Sequence, residues 1–321
     1  MKITVLTPDR YPEYEKAFRD HGSVFNDLKW LSMFGRAVVI YVIENKENKI
    51  AGSFYSYEKR IFGIKFARTS PFTPSNALFF INDADNASKK SRYQKSLASD
   101  LSDFYCKMNA GIIRVPFPPG FTDFQPFIWK KFKVIPNYTY IIDLNADEEN
   151  IYSSFSPEKR NEIRKALNDG IELVPEYDYS AFMDYAGMLF ENAGVKYDKP
   201  VLTKIFNEFA DQNNSFAFVA KKADDILAWS FCVHDNHSAY YLLGGTSGKS
   251  RHPGAGSAVL WESIKTARNL GLKSFDFEGS MIPGIEAYFR EFGGTLTPYF
   301  TINKAFLPIE IVLKFIRREY F

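Results

Sequence analysis

Short runs of alternating apolar and polar residues are interspersed along the chain with longer stretches of helical spacing. Ala37 to Ile43 and Ile50 to Tyr57 read as strands on either side of the polar segment Glu44 to Lys49, which predicts a hairpin. Residues 70 to 76 are rich in Pro and Ser and predict a loop. Over 87–109, Leu97, Leu101, Phe104 and Met108 share one helical face; Gly111 ends that helix before a strand at Ile112 to Val115. Asp143 to Glu149 is acidic and polar, and predicts a domain boundary. Ser156 as N-cap, Pro157 at the first helical position and Gly170 as stop define the next helix. Strands at 215–220 and 226–233 should form a hairpin around Asp224-Asp225, with a further strand at 239–244. A helix follows from about Ser257 to Leu270, then a short strand at Ser274 to Phe277, a helix from Ile285 to Phe292 and a last strand at Tyr299 to Ile302. The expected fold class is therefore α/β (α+β), in two domains, 1–145 and 146–321. Each half offers a hairpin, a helix and more strands, which suggests duplicated architecture without a residue-level repeat.

Composition supports two packed domains. The 321 residues are 45% hydrophobic and 17% aromatic, and the 31 Phe and 19 Tyr suit pleated, half-buried surfaces. Lys and Arg total 40 against 38 acidic residues, so no global field draws the chain to nucleic acid or membrane, and an anionic ligand must meet a local patch. Two cysteines, Cys106 and Cys232, are too few for a disulfide framework, and both are expected to be buried. The N-terminus carries no long apolar run, and no stretch approaches the ~18 apolar residues of a membrane span. A soluble cytoplasmic protein is expected. The four histidines, His21, His234, His237 and His252, lack metal-ligand spacing, so no metal is expected.

The chemistry concentrates where Tyr240-Tyr241-Leu242-Leu243-Gly244 leads through Arg251-His252-Pro253-Gly254-Ala255-Gly256 into the helix at Ser257. Glycines let a backbone approach a ligand closely, and unpaired N–H groups at a helix start favour anions, so this segment reads as a diphosphate site. Leu242, Leu243, Gly244, Arg251, Gly254, Ala255, Gly256 and Ser257 are its candidate cofactor-binding residues. A Walker A loop fails because only three residues separate Gly244 from Gly248-Lys249-Ser250, and a dinucleotide fingerprint fails at Val259. Asp276 and Glu278, two apart on a strand, point to one side and are candidates for a general base or an amine-binding pair, or else form a solvated strand end. Arg160 and Arg164 share a face of the helix that follows Pro157 and are candidates for phosphate, with a solvated basic face as the alternative. Trp229 and Tyr241 are candidates to line an acceptor groove, or belong to the core.

Two resemblances follow from these residues. Arg251 to Gly256 resembles the Arg/Gln-x-x-Gly-x-Gly/Ala loop with which GNAT enzymes hold the pyrophosphate of coenzyme A, and Gly284 to Gly293 looks like the last helix of a GNAT domain. Many GNAT enzymes carry a general-acid Tyr in that helix. The matching position is Phe289, which leaves the acid unassigned, with Tyr288 on another face as the candidate. His21-Gly22-Ser23-Val24-Phe25 with Leu28-Lys29-Trp30-Leu31, the run from Gln125 to Leu144, Arg160 to Ala166 with Gly170, and Phe275-Asp276-Phe277 with Gly279-Ser280 together resemble the FemAB family of peptidoglycan-bridge transferases. This resemblance implies tandem GNAT-like domains and acyl transfer to an amine, with the main donor site in the second domain. The donor expected from the loop is acyl-CoA. FemAB enzymes instead take amino acids from aminoacyl-tRNA and add them to a cell-wall precursor, and a non-catalytic GNAT-like binding module is a third possibility. The acceptor is then a small-molecule or precursor amine, and DNA is not an expected partner.

Overall fold

The computed structural model describes residues 1–247, 252–279 and 281–320. Two compact units emerge, one of Met1–Asn137 with Pro298–Phe321 and one of Tyr138–Thr297. The crossing thus falls at Asn137/Tyr138, ahead of the expected 145/146, and the C-terminal segment returns to the first unit. The acidic stretch read as a linker begins a helix, Glu148–Ser153, capped by Asp147 through the Asn150 N–H.

In the first unit Lys2–Val5, Val38–Glu44, Ile50–Ile61 and Ile64–Arg68 pair in turn as antiparallel neighbours. The helix Ala87–Lys107 then carries the chain across to Ile112–Pro116, which pairs parallel to Ile64–Arg68. Thr301 to Ala305 pairs antiparallel to Ile112–Pro116 on its other edge. Leu97 and Leu101 from the helix pack on Phe54, Ile113 and Phe117. The opening motif is a packing device: Asn26 donates to the Ala77 carbonyl at 2.8 Å, and the buried Trp30 indole donates to Thr73 at 3.1 Å.

The second unit repeats this order. Glu172–Pro175, Ser215–Lys222, Asp225–His234 and Ser238–Thr246 are antiparallel neighbours. The helix Ala255–Asn269 crosses to Ser274–Asp276, parallel to Ser238–Thr246, and Ile141 to Asp143 pairs antiparallel to that strand. Both units are therefore mixed sheets built on a strand–helix–strand crossover. In each, the strand beside the last crossover strand comes from a remote stretch of chain, which hides the repeat in the sequence. No helix among the described residues is long and apolar enough to cross a membrane.

Candidate functional site

Ser238–Thr246 and Ser274–Asp276 pair only at Ser238/Ser274, Ala239/Phe275 and Tyr240/Asp276. On its other edge Ser238–Thr246 stays paired with Asp225–His234, but the register jumps from Phe231/Leu243 to Cys232/Tyr241. Leu242 is thus the extra residue of a bulge, a device that bends a strand away from its neighbour. From Tyr241 to Thr246 one edge has no strand partner among the described residues, and half of its backbone groups face the opening. Leu243 and Gly244 lie on this stretch, opposite Phe231 and Ser230.

Asp276 and Glu278 stand where the strands part. The Asp276 carboxylate accepts the Thr139 hydroxyl at 2.6 Å and the Glu278 backbone N–H at 2.8 Å. Burial raises its pKa, and those two donors partly offset the rise. Glu278 holds a left-handed backbone, φ 61°, that non-glycine residues seldom adopt. Its Oε1 is buried without a hydrogen-bond partner. Burial first, and the Asp276 charge second, hold its carboxyl well above the usual glutamate range. A buried carboxylate oxygen that lacks a partner is uncommon in a folded protein and marks a place for a ligand proton or cation.

The helix Ala255–Asn269 starts at Gly254 without a side-chain cap, so its first N–H groups have no capping side chain. His252 fixes the approach: its Nδ1 accepts the Gly254 N–H at 3.1 Å and its Nε2 lies 2.9 Å from Asp169 Oδ2. Gly254 serves packing as well as ligand approach, because a methyl there would fall 2.0 Å from the Glu162 carbonyl oxygen. At Gly256 a methyl would meet only Thr246 Cγ2 and the Tyr288 hydroxyl, each at 3.5 Å. Ala255 is fully buried. Arg251 lies outside the described residues, as do Gly248 to Ser250 and Ser280.

Ser257 joins a network absent from the sequence reading. Its hydroxyl donates to Glu162 Oε2 at 2.7 Å and accepts from Lys159 Nζ at 3.2 Å. Lys159, 2% exposed, also meets Glu162 at 2.8 Å and Glu291 at 3.0 Å, and its ammonium sits 4.2 Å over the Tyr288 ring. Burial raises the Tyr288 pKa, with the Ser257 hydroxyl offsetting part of the rise, so the phenol keeps its proton. Phe289, at the position of the family acid, stacks on Phe277 at 4.6 Å in the core. The hydroxyl near the helix start belongs to Tyr288.

The remaining candidates divide. Tyr241 packs edge-on against Phe289, and its hydroxyl fills the space beside Gly244, 1.9 Å from where a methyl would stand. Trp229 is a core residue, 3% exposed against Phe182 and Tyr185, and lines no open surface. Arg164 is exposed and bonded to Asn161, whereas Arg160 keeps a buried Nε with no hydrogen-bond partner. Cys232 is buried as expected, but Cys106 is exposed, on the outer side of its helix. Among the described residues no His, Cys, Asp and Glu cluster has metal-binding geometry.

The first unit lacks these features at its equivalent fork. Its strands pair without a bulge from Tyr57/Arg68 to Ile61/Ile64. Beyond the parallel pair Ala67/Ile113, Asn76 fills the gap, accepting the Tyr55 N–H at 3.1 Å and donating to the Pro116 carbonyl at 2.9 Å. Its crossover helix is capped by the Asn86 side chain.

Residues 159–290 match the family model of an acetyltransferase (GNAT) domain, entirely within the second unit. No curated protein matches the sequence. Among solved structures, FemX aligns over 94% of this chain and 97% of its own at 12% identity, with a TM-score of 0.68. L-PGS from Bacillus licheniformis aligns over 96% and 95% at 11% identity and 0.56, and a tandem GNAT protein from the clavulanic acid biosynthesis pathway over 94% and 98% at 10% and 0.53. At such identities the likeness is one of fold. Residues 159–290 thus match a GNAT acetyltransferase domain, and the chain as a whole shares its fold with FemX and with the tandem GNAT protein.

Proposed function

We propose that the protein is an N-acyltransferase that holds an acyl-CoA donor at the fork of its second unit and transfers the acyl group directly to an amine. The observation that carries this reading is the buried, unpartnered Oε1 of Glu278 at the point where the strands part. The donor chain would lie along the open edge from Tyr241 to Thr246, with its diphosphate at the helix start beside Gly256 and Ser257, past the Gly254 and Ala255 N–H groups that His252 holds. An acceptor arriving as an ammonium favours ionised Glu278, which burial alone disfavours. Glu278 then takes a proton from that ammonium, and the freed nitrogen attacks the acyl carbonyl carbon. Of the Leu243 and Gly244 backbone N–H groups, which alternate between the strand's two edges, the one on the open edge stabilises the oxyanion. As the carbon–sulfur bond breaks, Tyr288, protonated and beside Gly256, supplies a proton to the leaving thiolate, and the second proton that the nitrogen gives up as the amide forms restores the phenol. Asp276 positions Glu278 through its backbone N–H.

Glu278→Gln tests this. The variant should bind donor as the native protein does yet lose about 10²–10⁴ in kcat, the usual range for removing a general base. Unchanged turnover would remove Glu278 from the mechanism.

One observation favours an aminoacyl-tRNA donor, the FemAB-type reading: the buried, unpartnered Arg160 Nε, a group suited to phosphate. Reversing Arg160 and Arg164 to Glu would then abolish a steeply salt-dependent tRNA affinity, whereas acyl-CoA binding through backbone N–H groups would change little. Cell-wall precursor amines are the acceptors to try first under that reading.

A further inference from the structure

The helix Leu307–Ile316 in the first unit has no buried residue. Its inner side is formed by Ile309 and Leu313; Ile309 Cδ1 lies 3.7 Å from where a methyl on Gly111 would stand. The outer side carries Phe306, Leu307, Ile311, Val312, Phe315 and Ile316, all more than half exposed, with Phe315 at 85%. A surface helix normally turns its apolar stripe inward, so an outward stripe of this size marks a binding face. Gly111 also lies against Ile64, in the pair that closes the turn of a hairpin whose tip residue, Phe62, is 100% exposed.

Charge surrounds this stripe. Lys314, Arg317 and Arg318 follow it, and a surface depression beside the helix is lined by Ile128, Lys131, Lys133 and Lys314. Glu310 pairs with Lys314 and Glu319 with Arg317, and Lys131 and Arg318 add further positive charge to this border. Apolar bulk with a basic border is the composition of a segment that lies in the headgroup region of a bilayer. A second copy of the chain fits less well, because a twofold contact would set this basic border against itself.

We propose that this face docks the first unit on an anionic membrane surface, with Phe315 and Ile311 entering the headgroup layer and the basic border meeting lipid phosphates. The inference stands apart from the acyl-transfer reading. Sedimentation of the full chain with phosphatidylcholine vesicles, with and without phosphatidylglycerol, tests it. Binding should require phosphatidylglycerol and fall with salt. Ile311→Glu with Phe315→Glu, both at exposed positions and so expected to fold, should weaken it about a hundredfold. Lys131→Glu with Arg318→Glu should weaken binding while leaving the melting temperature in place. Absence of vesicle binding, equal binding to phosphatidylcholine alone, or full binding by the first variant would overturn the proposal. So would concentration-dependent dimerisation in sedimentation velocity that the first variant abolishes, since the helix would then be covered by a second copy.

Discussion

Asp276 accepts the backbone N–H of Glu278 at 2.8 Å, so one carboxylate is satisfied by the residue whose own Oε1 is left without a partner. The two therefore differ in role despite lying two positions apart. Asp276 is held by Thr139 and by this N–H, and it fixes a backbone conformation that Glu278 would otherwise seldom adopt.

This asymmetry has a signature in stability. The folded pKa of Glu278 is raised above its unfolded value, so folding favours the protonated form. Its contribution is fully present below the ordinary glutamate pKa and is lost as pH rises through the folded value. Glu278→Gln should melt at the native temperature near pH 4 and above it at neutral and alkaline pH, the gap widening as pH rises. Thermal melts across that range check this; a gap that is constant with pH would mean that Glu278 ionises freely in the folded protein.

The two glycines of the loop should respond differently. Gly254→Ala drives a methyl into the Glu162 carbonyl and should destabilise by about 2 kcal/mol or more, because backbone cannot yield cheaply. Gly256→Ala meets ordinary contacts and should keep the native stability to within about 0.5 kcal/mol. Denaturant titrations separate them, and equal losses would mean that the close approach at Gly254 is not real.

Much of this was legible in advance, and what was not has identifiable causes. Ser156, Pro157 and Gly170 act locally, and they bound a helix at Pro157–Asn168 as their types require. The crossover helix and the hairpin of the second unit also carry their signals in short windows. The return of Thr301 to Ala305 to the first unit is a pairing nearly two hundred residues distant, and no local pattern encodes it. Lys159 adjoins Arg160 on a helix whose local pattern shows only its charge; its burial depends on Glu291 and Ser257, remote in sequence. The strands Glu172–Pro175 and Lys2–Val5 are too short to stand out. Trp229 illustrates the opposite limit, since an aromatic residue on a strand suits core and groove alike.

Lys159 ties three elements together, so its removal should cost more than a surface charge. Lys159→Met leaves Glu162 and Glu291 without a cation. Both are partly exposed and regain water, so the loss should be about 2 kcal/mol, below the roughly 3–5 of a fully buried pair. The same change removes the cation over the Tyr288 ring and the charge balancing Glu162 beside the helix start, so donor affinity should fall as well. A variant as stable as the native protein, with unaltered donor affinity, would reduce the network to a surface ion pair.

The measurement that reaches the central claim most directly is calorimetric titration of acetyl-CoA into the native protein and into Gly256→Ala. The fork of the second unit predicts binding to the native protein and, because the added methyl narrows the approach to the helix start, a loss of about tenfold or more in the variant without a loss of fold. No binding to the native protein, or the same affinity in both, would contradict the assignment of the donor to this site.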